Sequence, residues 1–211
     1  MKFSLPTERW TEQRARWPSE GRHVLAHWDD ATIVVYQAYA PAIAEYALSH
    51  QRFGGPFSMT RMTWIKPNFL WMMYRSDWAR SQDQERVLAL HLRRDAFDGY
   101  LADAVHSSWP RHLFATEADW RSAVKDSSVR LQWDPDHGPG GEKLERRAIQ
   151  IGLRGPAVER FVNHDIVRIE DATPFVIDQR DRPRDELRTP SERVYPVEAE
   201  TAARLRMDSA A

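Results

Sequence analysis

Between Met59 and Trp78 the chain reads MTRMTWIKPNFLWMMYRSDW, and within that run Phe69 to Tyr74 is apolar on almost every side of a helix. A helix without a polar stripe has to be enclosed by other elements, so any fold this chain adopts must wrap this segment. The same run carries three tryptophans, four methionines and the cations Arg61, Lys66 and Arg75. Lys66 precedes a proline and is pushed out of helical dihedrals, so Met59 to Lys66 is expected as strand or extended chain, with Pro67 opening the helix.

The elements that could enclose it are legible on both sides. Thr32 to Tyr39, TIVVYQAY, has the β-branched composition of a strand, and its unbroken apolar centre points to burial on both faces. His23 to Trp28 reads as a preceding strand, joined to it through an Asp29-Asp30 turn. Pro41 opens a helix with Ile43, Ala44, Ala47 and Leu48 at helical spacing, which Gly54-Gly55-Pro56 ends. Arg86 to Arg94 alternates strictly, Leu88, Leu90 and Leu92 toward a core and Val87, Ala89, His91 and Arg93 toward a partly wet face. Asp95 then caps a helix carrying Phe97, Tyr100 and Leu101. Ser128 to Trp133 and Arg147 to Leu153 are further strands, separated by the turn-rich Asp134 to Gly141, a hairpin tip or lid.

Strands interspersed with helices, without a regular βαβ rhythm, predict α+β architecture: one domain over residues 20–177 with a mixed or mostly antiparallel sheet packed by helices. Residues 1–19 form an N-terminal extension, in which Trp10 and Trp17 mark one face of a short helix. Residues 178–211 are charged, bear prolines and hold few large apolar side chains, a composition expected to be disordered.

Several chemistries lack their residues. With no cysteine in the chain there is no thiolate zinc site and no cysteine nucleophile. The eight histidines form no HxxxH motif with an acidic partner, and His23 and His27, four apart in a strand, stand about 13 Å from one another, so no metal is expected. Gly138-Pro139-Gly140-Gly141 lacks the lysine and hydroxyl of a phosphate loop, and no G-x-S-x-G elbow occurs. The first residues lack the apolar core of a signal peptide, and no run of roughly 18 apolar residues could span a bilayer; a soluble, cytoplasmic protein without a membrane partner is expected. Net charge is −1, yet residues 52–94 hold eight cations against three acids, a locally basic middle.

What survives is the edge of the central run. In a strand, Trp64 and Lys66 share one face while Arg61, Thr63 and Ile65 take the other. A planar ring beside a lysine, with Tyr74 and Arg75 one helix away, has the makings of a pocket that stacks a ring and neutralises a phosphate. The same residues describe equally well a tryptophan-rich core whose cations snorkel to the surface. Gln37, flanked by Tyr36 and Tyr39, and Gln150 are amides inside apolar strands, where they must find partners in the fold or in a ligand. Gly152-Leu153-Arg154-Gly155 before a helix is either a tight turn or an anion site using Arg154.

On TIVVYQAYAPAIA at 32–44, RMTWIKPNFLWMMYRSDWA at 61–79, QERVLALHLRRDAFDGYL at 84–101, VRLQWDPDH at 129–137 and AIQIGLRG at 148–155, the sequence resembles the bacterial family called domain of unknown function 4291. It departs at Leu25-Ala26, where that family is expected to carry an arginine. A more distant resemblance is to the ADP-ribosyltransferase superfamily, with Tyr36-Gln37-Ala38, Thr63-Trp64 and Gln150 at its three motif positions. That resemblance implies an ADP-ribosyltransferase-like fold, NAD as cosubstrate, and Gln37 and Gln150 at catalytic positions usually held by Arg or His and by Glu. An active transferase would then need Arg61, Lys66 or Glu145 in substituted roles. The functional expectation is a nucleotide-binding protein, an NAD-using enzyme with a non-standard site. The alternatives are a non-catalytic module for single-stranded nucleic acid and a structural or partner-binding protein; oligomeric state stays open.

Overall fold

The computed structural model of the chain describes residues 3–208. In chain order the first half comprises β1 (Thr7–Arg9), α1 (Trp10–Arg14), β2 (Leu25–Ala26), β3 (Thr32–Tyr39), α2 (Pro41–His50), β4 (Thr63–Ile65), α3 (Phe69–Ser76), β5 (Arg86–Arg93), α4 (Arg94–Asp103) and β6 (Val105–His106). The second comprises α5 (Glu117–Asp126), β7 (Val129–His137), β8 (Lys143–Leu153), α6 (Pro156–Arg160), a π-helical turn (Phe161–Asp165), β9 (Ile166–Asp171), α7 (Thr173–Gln179), β10 (Arg188–Pro190), β11 (Arg193–Val194) and α8 (Ala199–Arg204).

These make one α+β domain around two main sheets, β3-β5-β9 and β4-β8-β7-β6, antiparallel throughout except for the parallel pair β6 and β7. β3 is buried on both faces. Ile33 and Val35, with Leu88, Leu90 and Leu92 of β5, pack into a core shared with Phe53, Phe97, Ile65, Ile149 and Ile151. Val34 and Tyr36, with Val87 and Ala89, pack against α3 and α7 through Phe69, Met72, Met73 and Val176. The alternation in β5 therefore separates two cores. The face expected to be partly wet is dry from Val87 to His91, because α3, α7 and the N-terminal tryptophans pack in the core on that side, and only Arg93 at its end is exposed.

α3 is enclosed as its composition requires, with Phe69 through Met73 buried. It starts two residues after Pro67 because Asn68 caps it, its side chain accepting from Trp71 N at 2.7 Å. Glu192 closes the same end, accepting from Phe69 N at 2.7 Å and from the Asn68 amide at 3.2 Å. Burial pushes the Glu192 carboxyl well above the usual range, although the Phe69 hydrogen bond works against that rise.

Glu192 lies in the segment expected to be disordered, and its position corrects that expectation. β10 pairs with β1, β11 pairs with β2, and Leu187, Tyr195 and Leu205 are each buried to 2% exposure or less. Composition misleads here because a few well-spaced apolar residues suffice when the partner strands come from the far end of the chain. The N-terminal segment is likewise integral rather than an extension: Trp10 and Trp17 are buried, and the Trp17 indole donates to Glu192 O at 2.9 Å. The strand expected over Met59 to Lys66 shrinks to Thr63–Ile65, with turns before it.

Candidate functional site

The two main sheets touch where Tyr36 and Lys66 exchange backbone hydrogen bonds, Tyr36 N to Lys66 O at 2.7 Å and Lys66 N to Tyr36 O at 3.2 Å. Beyond that bridge β3 and β4 part, and a cleft of about 770 Å³ opens between β3, β4, β8 and the end of α3.

Gln37 replaces the lost strand pairing with its side chain. Its Nε2 donates to Thr63 Oγ1 at 2.6 Å and to Trp64 O at 3.1 Å, and Tyr39 OH lies 2.8 Å from the same Thr63 oxygen. A carbonyl can only accept, so the NH₂ group must face Trp64 O, and this leaves Gln37 Oε1 buried without a partner. An unpaired acceptor in a cleft wall is a place for a ligand donor.

Lys66 is the least satisfied group in the wall. It is 6% exposed, its amine has one long hydrogen bond, 3.5 Å to Trp64 O, and no acid stands within 4.0 Å among the described residues. Burial, together with the nearby Arg75, pulls the amine from its ordinary 10.5 down to about 8, with Asp134 working the other way. Arg61, in the turn before β4, and Arg75, in the last turn of α3, are exposed at the rim; neither has an ion pair among the described residues.

Trp64 owes its place to its cross-strand neighbour Gly152. A Cβ there would meet the Trp64 ring at 3.0 Å and Met62 Sδ at 2.8 Å, so the indole lies over bare backbone. On the far wall Gln150 pairs in register with Gln132 of β7. Their amides donate to opposite oxygens of Asp134, Gln150 Nε2 at 2.7 Å and Gln132 Nε2 at 2.8 Å, which places a carboxylate directly behind the two glutamines.

The cleft thus gathers Gln37, Tyr39, Arg61, Thr63, Trp64, Lys66, Arg75 and Gln150 from the sequence-derived candidates. Three others lie elsewhere. Tyr36, next to Gln37 in a strand, points to the opposite face and packs against Phe69 with ring centroids 5.4 Å apart. Tyr74 stacks on His137 at 3.5 Å, outside the cleft. Arg154 ties down the end of α5, donating to Ser127 O at 2.8 Å and to the Val124 and Lys125 carbonyls, so its guanidinium is occupied; Gly152 and Leu153 end β8, and only Arg154-Gly155 turns toward α6.

Sequence reasoning missed Gln132 and Asp134. The rule that singled out Gln150, an amide within an apolar strand, applies equally to Gln132 in VRLQW; Asp134 was assigned to a loop, whereas β7 runs on to His137. Among the described residues no group of three or more acids and histidines is gathered as metal ligands, and no helix is long and apolar enough to cross a membrane.

The family model for Domain of unknown function (DUF4291) matches residues 23–200, most of the chain, and the chain belongs to that family. A comparison with curated proteins found no match.

Proposed function

We propose that this member of the DUF4291 family binds a phosphorylated, ring-bearing ligand of the nucleotide class in the cleft between β3, β4 and β8. The observation that carries the reading is Lys66, a buried ammonium without an anion. Holding such a charge in the core is unfavourable until a ligand phosphate supplies the missing partner. Arg61 and Arg75 at the rim add charge for a second phosphate. Trp64, backed by Gly152, offers a flat apolar surface for a base or pyridine ring, and Gln37 Oε1 is free to accept from an amine or ribose hydroxyl. A volume of about 770 Å³ is within the range of cofactor sites.

NAD is the finer form of the proposal. Its support is that Gln37 and Ala38 of the first motif position, Thr63-Trp64 of the second and Gln150 of the third line this one cleft, while Tyr36 of the first faces away from it. Transfer would break the bond between ribose C1′ and the nicotinamide nitrogen, and the acceptor would bond to C1′ and release its proton. The cationic transition state needs negative charge that glutamine lacks. Asp134, 2.7 Å from the Gln150 amide, is the acid positioned to supply it through that side chain.

Thermal unfolding with ADP and with NAD tests both levels. A ligand at a hundred times its Kd adds about 2.7 kcal/mol, roughly 5–10 °C for a chain this size. No shift with either at millimolar concentration overturns nucleotide binding. A shift with ADP but neither a larger one with NAD nor release of nicotinamide removes the transferase.

A further inference from the structure

Gln132 lines not only the cleft but a second cavity of about 380 Å³. Four arginines converge on it, Arg22, Arg111, Arg147 and Arg206, beside Trp109 and Trp133. No acidic side chain is among its lining residues, and none of the four guanidinium groups has an ion pair within 4.0 Å among the described residues. Arg22 is half-buried, and Arg111, Arg147 and Arg206 are exposed. Leaving four unpaired in one place creates mutual repulsion that a bound polyanion relieves.

The fold builds this wall from distant parts of the chain. Arg22 and Arg147 are brought together by a backbone bridge, with Arg147 N donating to Gly21 O at 2.7 Å. The C-terminal segment is locked across β7 by Trp133 Nε1, which donates to Leu205 O at 3.1 Å, and the next residue, Arg206, takes a left-handed φ of 55°. Arg204, by contrast, is occupied in capping α4 through the Leu101, Ala102 and Ala104 carbonyls and takes no part. Trp109 is half-buried, with Arg111 over its ring at 5.0 Å.

Several unpaired guanidinium groups around accessible indoles are what a phosphate backbone with unstacked bases requires, whereas a free inorganic anion has no use for the tryptophans. We propose that this cavity is a binding site for single-stranded nucleic acid, with the four arginines on successive phosphates and a base stacked on Trp109. Through Gln132 the strand would run to the edge of the cleft. The site goes beyond the nucleotide reading and stands without it.

Fluorescence anisotropy with a fluorescein-labelled single-stranded decamer, DNA and RNA, over a salt series on the full chain tests the site. Wild type is expected to bind, with affinity falling steeply as salt rises. The double variant Arg147→Gln/Arg206→Gln, both exposed positions, is expected to weaken binding at least tenfold and to flatten the log–log salt slope by about 1.4, two phosphates' worth for a single strand. Trp109→Ala is expected to cost roughly fivefold or more. Circular dichroism confirms that each variant is folded, and ADP affinity on the double variant, expected within twofold of wild type, separates this site from the cleft. Absence of strand binding at low salt, or unchanged binding in the double variant, overturns the proposal. So does competition by pyrophosphate at equal phosphate concentration combined with no effect of Trp109→Ala, which would mark a site for free anions.

Discussion

Replacing Lys66 with methionine should make the ligand-free protein more stable while removing its capacity to hold an anion. The amine is 6% exposed, and burial with Arg75 nearby brings it from 10.5 to about 8. Near pH 7 it is charged in both folded and unfolded states, and the displaced pKa corresponds to a cost of holding that charge in the fold on the order of 3 kcal/mol. Methionine fills similar space without the charge. It loses only the 3.5 Å bond to Trp64 O, worth under about 1 kcal/mol at that length. The net expectation is a gain of about 2 kcal/mol at pH 7, or roughly 4–8 °C in Tm by calorimetry. The pH dependence fixes the cause. Between about 8 and 10.5 the unfolded chain keeps a proton that the folded chain has released, so wild-type stability rises with pH across this window relative to the variant. The gap between the two proteins should therefore close toward pH 10. A variant less stable than wild type at pH 7, by an amount that does not change with pH, would refute the reasoning and mark Lys66 as a well-partnered structural cation.

Other consequences follow from the same geometry. If the ammonium holds a phosphate, ADP affinity measured by calorimetric titration should fall above pH 8, approaching tenfold per pH unit. Gly152→Ala places a methyl group 3.0 Å from the Trp64 ring and should displace the indole, weakening ADP binding at least fivefold, with Trp fluorescence reporting the shift. Asp136→Ala strands Arg146, 5% exposed, without its partner and should cost about 3–5 kcal/mol in denaturant unfolding, whereas Glu117→Ala, in an exposed pair with Arg121, should cost under about 1. Truncation after residue 177 removes Leu187, Glu192, Tyr195 and Leu205 from the interior and should abolish cooperative unfolding.

The parts of this fold that rest on local pattern were legible. A strand buried on both faces at Thr32 to Tyr39, a helix enclosed at Phe69 to Met73 and an α+β arrangement each follow from periodicity over a single segment. The parts set by partners distant in sequence were not. The acid that closes α3 comes from residue 192, and the strands that order the tail come from residues 7 to 9 and 25 to 26. In the cleft the same division holds. Trp64, Lys66, Gln37 and Gln150 stand out as polar or planar residues in apolar strands. Asp134 could be placed only once β7 was seen to continue through Pro135, where the register shifts between Pro135 and His137. Tyr36 and Tyr74 lie outside the cleft because adjacency in sequence puts neighbouring side chains on opposite faces of a strand or on different sides of a helix.

The most direct measurement is a crystal structure of the chain soaked with ADP. Density is expected in the cleft, with phosphate oxygens within hydrogen-bond distance of Lys66 Nζ and Arg75 and the adenine against Trp64. A ligand bound elsewhere, with Lys66 still unpaired, would contradict it.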